Sequence, residues 1–83
     1  MQVYNWNEAL TPEEIRAQIS TKRTALQELQ DGIKDAKENA RDALQDGDHK
    51  FCEYWQGQAR KLQDKATALE SDLQALTIQL AGA

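Results

Sequence analysis

The sequence predicts an all-α fold, an antiparallel two-helix hairpin of the coiled-coil type, and three observations support this prediction. The first is that nine pairs of residues on two apolar stripes have numbers that sum to 95. Both stripes advance by three and four residues, the spacing of a helix face that packs on another helix. Because the sum is constant, the stripes run in opposite directions about a point between Gly47 and Asp48. The pairs, called the seam from here on, are Ile15 with Leu80, Ile19 with Leu76, Lys22 with Leu73, Leu26 with Leu69, Leu29 with Ala66, Ile33 with Leu62, Ala36 with Ala59, Ala40 with Trp55, and Ala43 with Cys52.

The second observation is a break in the heptad phase, which argues against one continuous helix in a parallel coiled coil. The first stripe uses positions 19, 26, 33 and 40, whereas the second uses 52, 59, 66, 73 and 80. This shift of five residues matches neither of the insertions that coiled coils absorb. Gly47 lies at the break, so a turn explains both the shift and the glycine.

The third observation is a set of helix start signals around Thr11. Thr11 is a good N-cap, Pro12 suits the first helical position, and Glu14 completes a T-x-x-E capping box. Leu10 and Ile15 stand on either side of the cap, where they can form a hydrophobic staple. The first helix is therefore predicted to begin here.

The segment after the first helix has the chemistry of a turn. Gly47 can adopt a positive φ, and Asp48 is the expected N-cap of the second helix. The chain is then one hairpin domain. Its predicted parts are an irregular N-terminal arm (1–10), the first helix (11–45, regular from about 12), the turn (46–48), the second helix (49–80) and a frayed tail (81–83).

The seam alone buries little apolar area for the number of residues that it orders. We therefore expect the hairpin to complete a bundle by oligomerisation or by binding a partner. The apolar residues outside the seam lie near the two ends of the hairpin, with Leu44 and Phe51 flanking the seam beside the turn. Phe51 and Tyr54 either cap the core or anchor a partner.

Lys22 is the only charged residue of the seam. Either its stem packs on Leu73 while the ammonium group reaches solvent, or it makes a polar contact that specifies a partner. The candidate partner-binding residues are Tyr4, Trp6, Lys22, Leu44, Phe51, Tyr54 and Trp55.

Composition and charge limit the function. Ten basic and fourteen acidic residues give a net charge of −4, which argues against nucleic acid as a partner. Cys52 is the single cysteine, no apolar run of about 18 residues occurs, and the first residues do not resemble a signal peptide. We therefore expect a cytoplasmic protein that does not insert into a membrane.

Catalytic and ligand-binding motifs are missing from the sequence. No phosphate-binding loop, serine nucleophile motif or zinc-protease motif occurs, and His49 is the only histidine. Together with Asp46, Asp48 and Cys52 it makes a poor metal-ligand set, because the two aspartates are better explained as capping residues. We expect no enzymatic activity, no cofactor, no metal and no small-molecule substrate.

The segment 46–62 contains a Gly-Asp turn, an aromatic pair ahead of the W-Q dipeptide, and Q-A-R leading to a leucine. This fifth of the chain resembles the turn and early second helix of the small co-chaperones of type III secretion needle subunits. The resemblance implies a cytoplasmic hairpin that pairs with a helical-repeat chaperone and keeps a polymerising subunit soluble. The positions that it carries over, as apolar packing residues, are Phe51, Trp55, Ala59 and Leu62.

These observations favour a non-enzymatic protein–protein interaction module, a small adaptor or chaperone-like hairpin of the secretion type. One alternative is an inhibitor encoded by a phage or mobile element that binds and blocks a host protein. Another is a self-assembling structural component of a helical bundle. In each case the partner is another protein or a second copy of the chain, and a homodimer is expected.

Overall fold

The computed structural model of the protein describes residues 10–82, which form two antiparallel helices joined by a tight turn. Helix α1 spans Pro12–Gln45 and helix α2 spans His49–Ala81. No strand occurs among the described residues, so the predicted all-α hairpin is confirmed. The molecule measures 60 × 24 × 15 Å, so it is an elongated single layer of helices, and the 34 residues of α1 account for about 51 Å of its length.

Helix α1 begins with the predicted capping box. The Glu14 backbone N–H donates to Thr11 Oγ1 at 3.1 Å, and the Thr11 backbone N–H donates to Glu14 Oε1 at 2.9 Å. These two bonds satisfy donors that the first helical turn leaves without partners. Leu10 packs against the cluster of Ile15, Ile19 and Leu76, in the place predicted for the staple.

The turn closes through the backbone of three residues. Gly47 has φ +80°, the left-handed conformation that glycine adopts without strain. Its N–H donates to the Leu44 carbonyl at 3.0 Å, and the Asp48 N–H donates to the Ala43 carbonyl at 2.8 Å. The Asp48 carboxylate then caps α2 by accepting from the Phe51 N–H at 3.0 Å. The roles predicted for Gly47 and Asp48 are both confirmed.

The far end of α2 differs slightly from the prediction. The helix continues one residue past Leu80, so α2 ends at Ala81, the first residue of the tail predicted at 81–83. The reason is local, because the Gly82 N–H still donates to the Ile78 carbonyl at 3.0 Å and so extends the hydrogen-bond ladder. Ala83 lies outside the described residues.

The seam forms the core along the whole length of the hairpin. All ten buried residues of the described chain are seam positions, and the other eight seam positions are half-buried. Two clusters mark the ends: Ile15, Ile19 and Leu76 at the open end, and Ala40, Ala43 and Cys52 beside the turn. Each cluster joins residues whose numbers sum to about 95, so the antiparallel register of the structure is the one that the constant sum predicts. The buried residues are Ile15, Ile19, Ile33, Ala36, Ala40, Ala43, Cys52, Ala59, Ala66 and Leu76.

The core is thin, however. Ile15, at 1% exposure, is the only large side chain of the described residues that is fully buried. The leucines in the middle of the seam remain half-buried because each helix covers the other on one side only. Both faces of the hairpin therefore give solvent access to the edges of the seam.

Alanine substitutions at two glycines, Gly47 in the turn and Gly57 in α2, should change the free energy of unfolding in opposite directions. A methyl group added at Gly57, inside α2, would meet no atom of another residue within 4 Å beyond its chain neighbours and its own helix backbone. Gly47, in contrast, has a positive φ. We expect Gly57→Ala to raise the free energy of unfolding by about 1 kcal/mol, since alanine is the better helix former. Gly47→Ala should lower it by about 1–2 kcal/mol, since a side chain strains the left-handed conformation.

Urea denaturation followed by circular dichroism measures both changes. Equal effects of the two substitutions, or a loss of stability on Gly57→Ala, would contradict the assigned turn and helix positions.

Candidate protein-interaction surfaces

Three aromatic rings at the start of α2 form a compact cluster, called here the aromatic patch. Phe51 stacks on Tyr54 with the ring centroids 6.0 Å apart and the planes 6° from parallel. Trp55 meets both rings edge-to-face, at 5.8 Å from Phe51 and 5.2 Å from Tyr54. The helix brings these residues together because positions three and four apart lie on the same side.

The three rings have different roles in the aromatic patch. Trp55 packs against Ala40, Ala43 and Cys52, so it belongs to the core as the seam pattern predicts. Its Nε1 atom is buried and has no hydrogen-bond partner among the described residues, so it offers no polar contact at the surface. Phe51 and Tyr54 lie outward of it and are 50% and 52% exposed. Phe51 and Tyr54 are therefore two large rings that face solvent and pack on Trp55, which is held in the core.

The opposite face of the hairpin carries a groove, called here the basic groove. Its volume is about 540 Å³, and the small residues Ala40, Cys52 and Ala59 form its floor. Lys37 and Arg41 of α1 stand on one side and Arg60 of α2 on the other. The remaining lining residues are Leu44, Gln56 and Gln63.

Leu44, another of the predicted partner-binding residues, lies beside the turn but apart from the aromatic patch. It is 53% exposed, as a contact residue should be, but it lines the basic groove and not the aromatic patch. The constant sum places Leu44 and Phe51 at the same level along the hairpin. It does not place them on the same face, because each helix turns its flanking residues to its own side of the seam.

Lys22 lies in a different part of the molecule. Its Nζ atom is 3.6 Å from Asp72 Oδ2, and the two side chains are 32% and 58% exposed. The lysine stem occupies a half-buried seam position while the ammonium group reaches the surface. Eighteen residues of helix separate it from the Ala40 layer, or about 27 Å at 1.5 Å per residue. It is therefore remote from both surfaces at the turn end.

Tyr4 and Trp6, with the rest of the predicted arm up to residue 9, lie outside the described residues. At the open end, the apolar side chain of Ile78 is 65% exposed. Of the seven predicted partner-binding residues, the aromatic patch thus unites three.

Three further features of the described residues concern metal binding, the cysteine and membrane insertion. Within residues 10–82, no three side chains of His, Cys, Asp or Glu lie close enough together to hold a metal ion. Cys52 is a buried free thiol beside Ala40 and Ala43. Neither α1 nor α2 combines the length and the apolar character that a membrane-spanning helix needs.

Comparison with known proteins returns no match. No protein-family model, curated protein or solved structure is significantly similar to this chain.

The position of Lys22 gives a stability prediction. Replacing it by leucine extends the apolar seam against Leu73, and the ion pair that is lost is solvent-exposed and worth little. We expect Lys22→Leu to raise the free energy of unfolding by about 1 kcal/mol in thermal or urea melts.

Asp72→Asn is the matched control, because it removes the same ion pair without changing the seam. It should alter stability by less than about 0.5 kcal/mol. A destabilised Lys22→Leu chain would mean that the ion pair, and not the packing, matters at this layer.

Proposed function

We propose that this protein is a non-enzymatic interaction module, a small adaptor or chaperone-like hairpin that binds another protein through the aromatic patch. The observation that carries this proposal is the exposure of Phe51 and Tyr54, two stacked rings that remain half in water. Large aromatic residues of this kind are the usual anchors of protein interfaces.

The hairpin itself has little need of the two rings. Trp55 already fills the seam opposite Ala40, whereas Phe51 and Tyr54 pack on its outer side and stay half-exposed. A polar residue at either place would satisfy the same helix geometry at lower cost in exposed apolar area. Contact with a partner supplies a reason for two aromatic residues here.

The thin core supports the same proposal. Most of the leucines of the seam are half-buried, and a third or fourth helix laid along the hairpin would cover them. The resemblance of segment 46–62 to the small co-chaperones of type III secretion needle subunits implies a hairpin that pairs with a helical-repeat chaperone and keeps a polymerising subunit soluble. Secretion-type chaperoning is the most specific form of the proposal, and a cytoplasmic location would accompany it.

Site-specific photo-crosslinking tests the proposal. A benzophenone amino acid placed at Tyr54, in the full chain expressed in its source cells, should capture one predominant protein that mass spectrometry identifies. The same amino acid at Ser71, an exposed position on α2 far from the turn, is the control and should not capture it. A helical-repeat chaperone or a polymerising subunit as the captured protein would support the secretion-type form.

Three outcomes would overturn the adaptor proposal. Capture of a second copy of the chain would indicate a self-assembling component. Capture of a host enzyme whose activity the purified chain blocks would indicate an inhibitor. Identical, unselective capture from Tyr54 and Ser71 would mean that the aromatic patch is not an interface.

The contribution of the patch can then be measured with the captured protein. We expect Phe51→Ser combined with Tyr54→Ser to weaken binding by at least about tenfold, the effect of removing interface anchors. Since both rings are half-exposed, helix content by circular dichroism should stay unchanged. Unchanged affinity in a folded double variant would exclude the aromatic patch as the binding surface.

A further inference from the structure

The cations of α1 are concentrated on one face of the hairpin. Five of the six basic residues of this helix line three neighbouring depressions on that face, and the sixth is Lys22 in the seam. The basic groove is the largest of the three, with a volume of about 540 Å³. Arg60 of α2 adds a further cation on the other side of the seam. The five residues of α1 are Arg16, Arg23, Lys34, Lys37 and Arg41.

This arrangement follows from the heptad repeat. Arg16, Arg23 and Lys37 are separated by multiples of seven residues, as are Lys34 and Arg41. Residues at this spacing lie on one edge of a helix that packs in a coiled-coil manner. A chain with a net charge of −4 thus carries a basic edge in two groups, Arg16 with Arg23 and then Lys34, Lys37 and Arg41, with Gln30 between them at the same heptad position.

The positive charge of this face is largely uncompensated. Glu38 is the only acidic residue among the described residues that line the three depressions. Within residues 10–82, Arg41 is the only one of these cations with a carboxylate oxygen within 4 Å, at 3.9 Å from Asp42. Both side chains of that pair are about two-thirds exposed, so the pair holds Arg41 only weakly.

The floor between the cations is apolar and open. Ala40, Cys52 and Ala59 are buried seam residues, yet their small side chains leave a furrow along the seam. Leu44, 53% exposed, forms an apolar wall at the turn end of that furrow. An apolar furrow between two helices is where a third helix packs in a helical bundle.

We propose that the basic groove binds an amphipathic helix of another protein, one with an apolar stripe flanked by Asp and Glu. The apolar stripe of the partner helix covers Ala40, Ala59 and Leu44. The flanking carboxylates pair with Lys37 and Arg60 on the two sides of the groove. The groove proposal rests on the proposed function, because it takes the chain to be an interaction module. It adds a second binding surface and the chemistry of the ligand for that surface.

Charge complementarity selects this occupant over a second copy of the chain. A two-fold dimer brings the same surface of both copies together, so each basic rim would face the other rim. Like charges placed opposite one another disfavour such a dimer. Nucleic acid meets the charge requirement but leaves the apolar floor unused, whereas an acidic amphipathic helix satisfies both.

The test uses a synthetic peptide as the probe. The peptide has about 18 residues, or five helical turns, with Leu at helical spacing and Glu on both flanks. Fluorescence anisotropy of the labelled peptide is measured against the full chain. We expect binding that weakens by at least about tenfold when Lys37→Glu and Arg60→Glu are combined, and that also weakens with added salt.

Lys61→Glu combined with Lys65→Glu is the matched control. These two exposed lysines of α2 line none of the three depressions, and the substitution changes the net charge by the same amount. The control should change the affinity less than about twofold if the groove itself is the site. Circular dichroism confirms that both double variants remain helical.

Several outcomes would overturn the proposal. Equal weakening by both double variants, or equal binding of a peptide with the same composition and no apolar stripe, would show unspecific attraction between charges. Tighter binding of a single-stranded oligonucleotide at the same sites would indicate nucleic acid. A wild-type dimer that the peptide dissociates would place a second copy in the groove.

The two proposals can fail separately. Phe51→Ser with Tyr54→Ser leaves the basic groove intact, so it should not change the affinity for the acidic peptide. Loss of peptide binding in that variant would mean that the peptide binds the aromatic patch, which contradicts the groove proposal alone. Peptide binding at the groove together with unselective crosslinking from Tyr54 would contradict the aromatic patch alone.

Discussion

The antiparallel register of the two helices is the constraint on which the rest of the structure depends. It is set at the turn, where Gly47 adopts φ +80° and the Asp48 N–H reaches the Ala43 carbonyl at 2.8 Å. From that point each heptad of α1 meets one heptad of α2, so a single local geometry determines which residues share a layer. A shift of one residue at the turn would turn apolar side chains out of every layer.

The register also determines what the hairpin presents to solvent. Small residues of α1 beside the turn let the two backbones approach, and Trp55 of α2 fills the space between them. The same small residues leave a furrow on one face, while the first turns of α2 place Phe51 and Tyr54 on the other. An aromatic patch and a basic groove thus lie back to back at one end of the molecule. Under the two proposals above, each surface would take its own partner, so the hairpin would join two different proteins.

Much of the fold could be predicted from the sequence because its signals are local or periodic. The capping box at Thr11, the turn at Gly47 and the seam each depend on residue spacing alone. The faces were harder to predict. The constant sum gives the level of Leu44 and Phe51 along the hairpin, but the side of the seam depends on the rotation of each helix. The basic edge was missed because charge was counted over the whole chain, although the seven-residue spacing of Arg16 and Arg23 is visible in the sequence.

A distance measurement between the two helices tests the antiparallel hairpin most directly. Spin labels at Ser20 and Ala75, two exposed positions whose numbers sum to 95, can be attached through cysteines after Cys52→Ala. Pulsed electron–electron double resonance should give a separation between the two labels below about 30 Å, because packed helix axes lie only 8–10 Å apart. The short distance should persist when labelled chains are diluted with excess unlabelled chain. A continuous helix would instead separate the labels by about 80 Å at 1.5 Å per residue, and that result would contradict the hairpin.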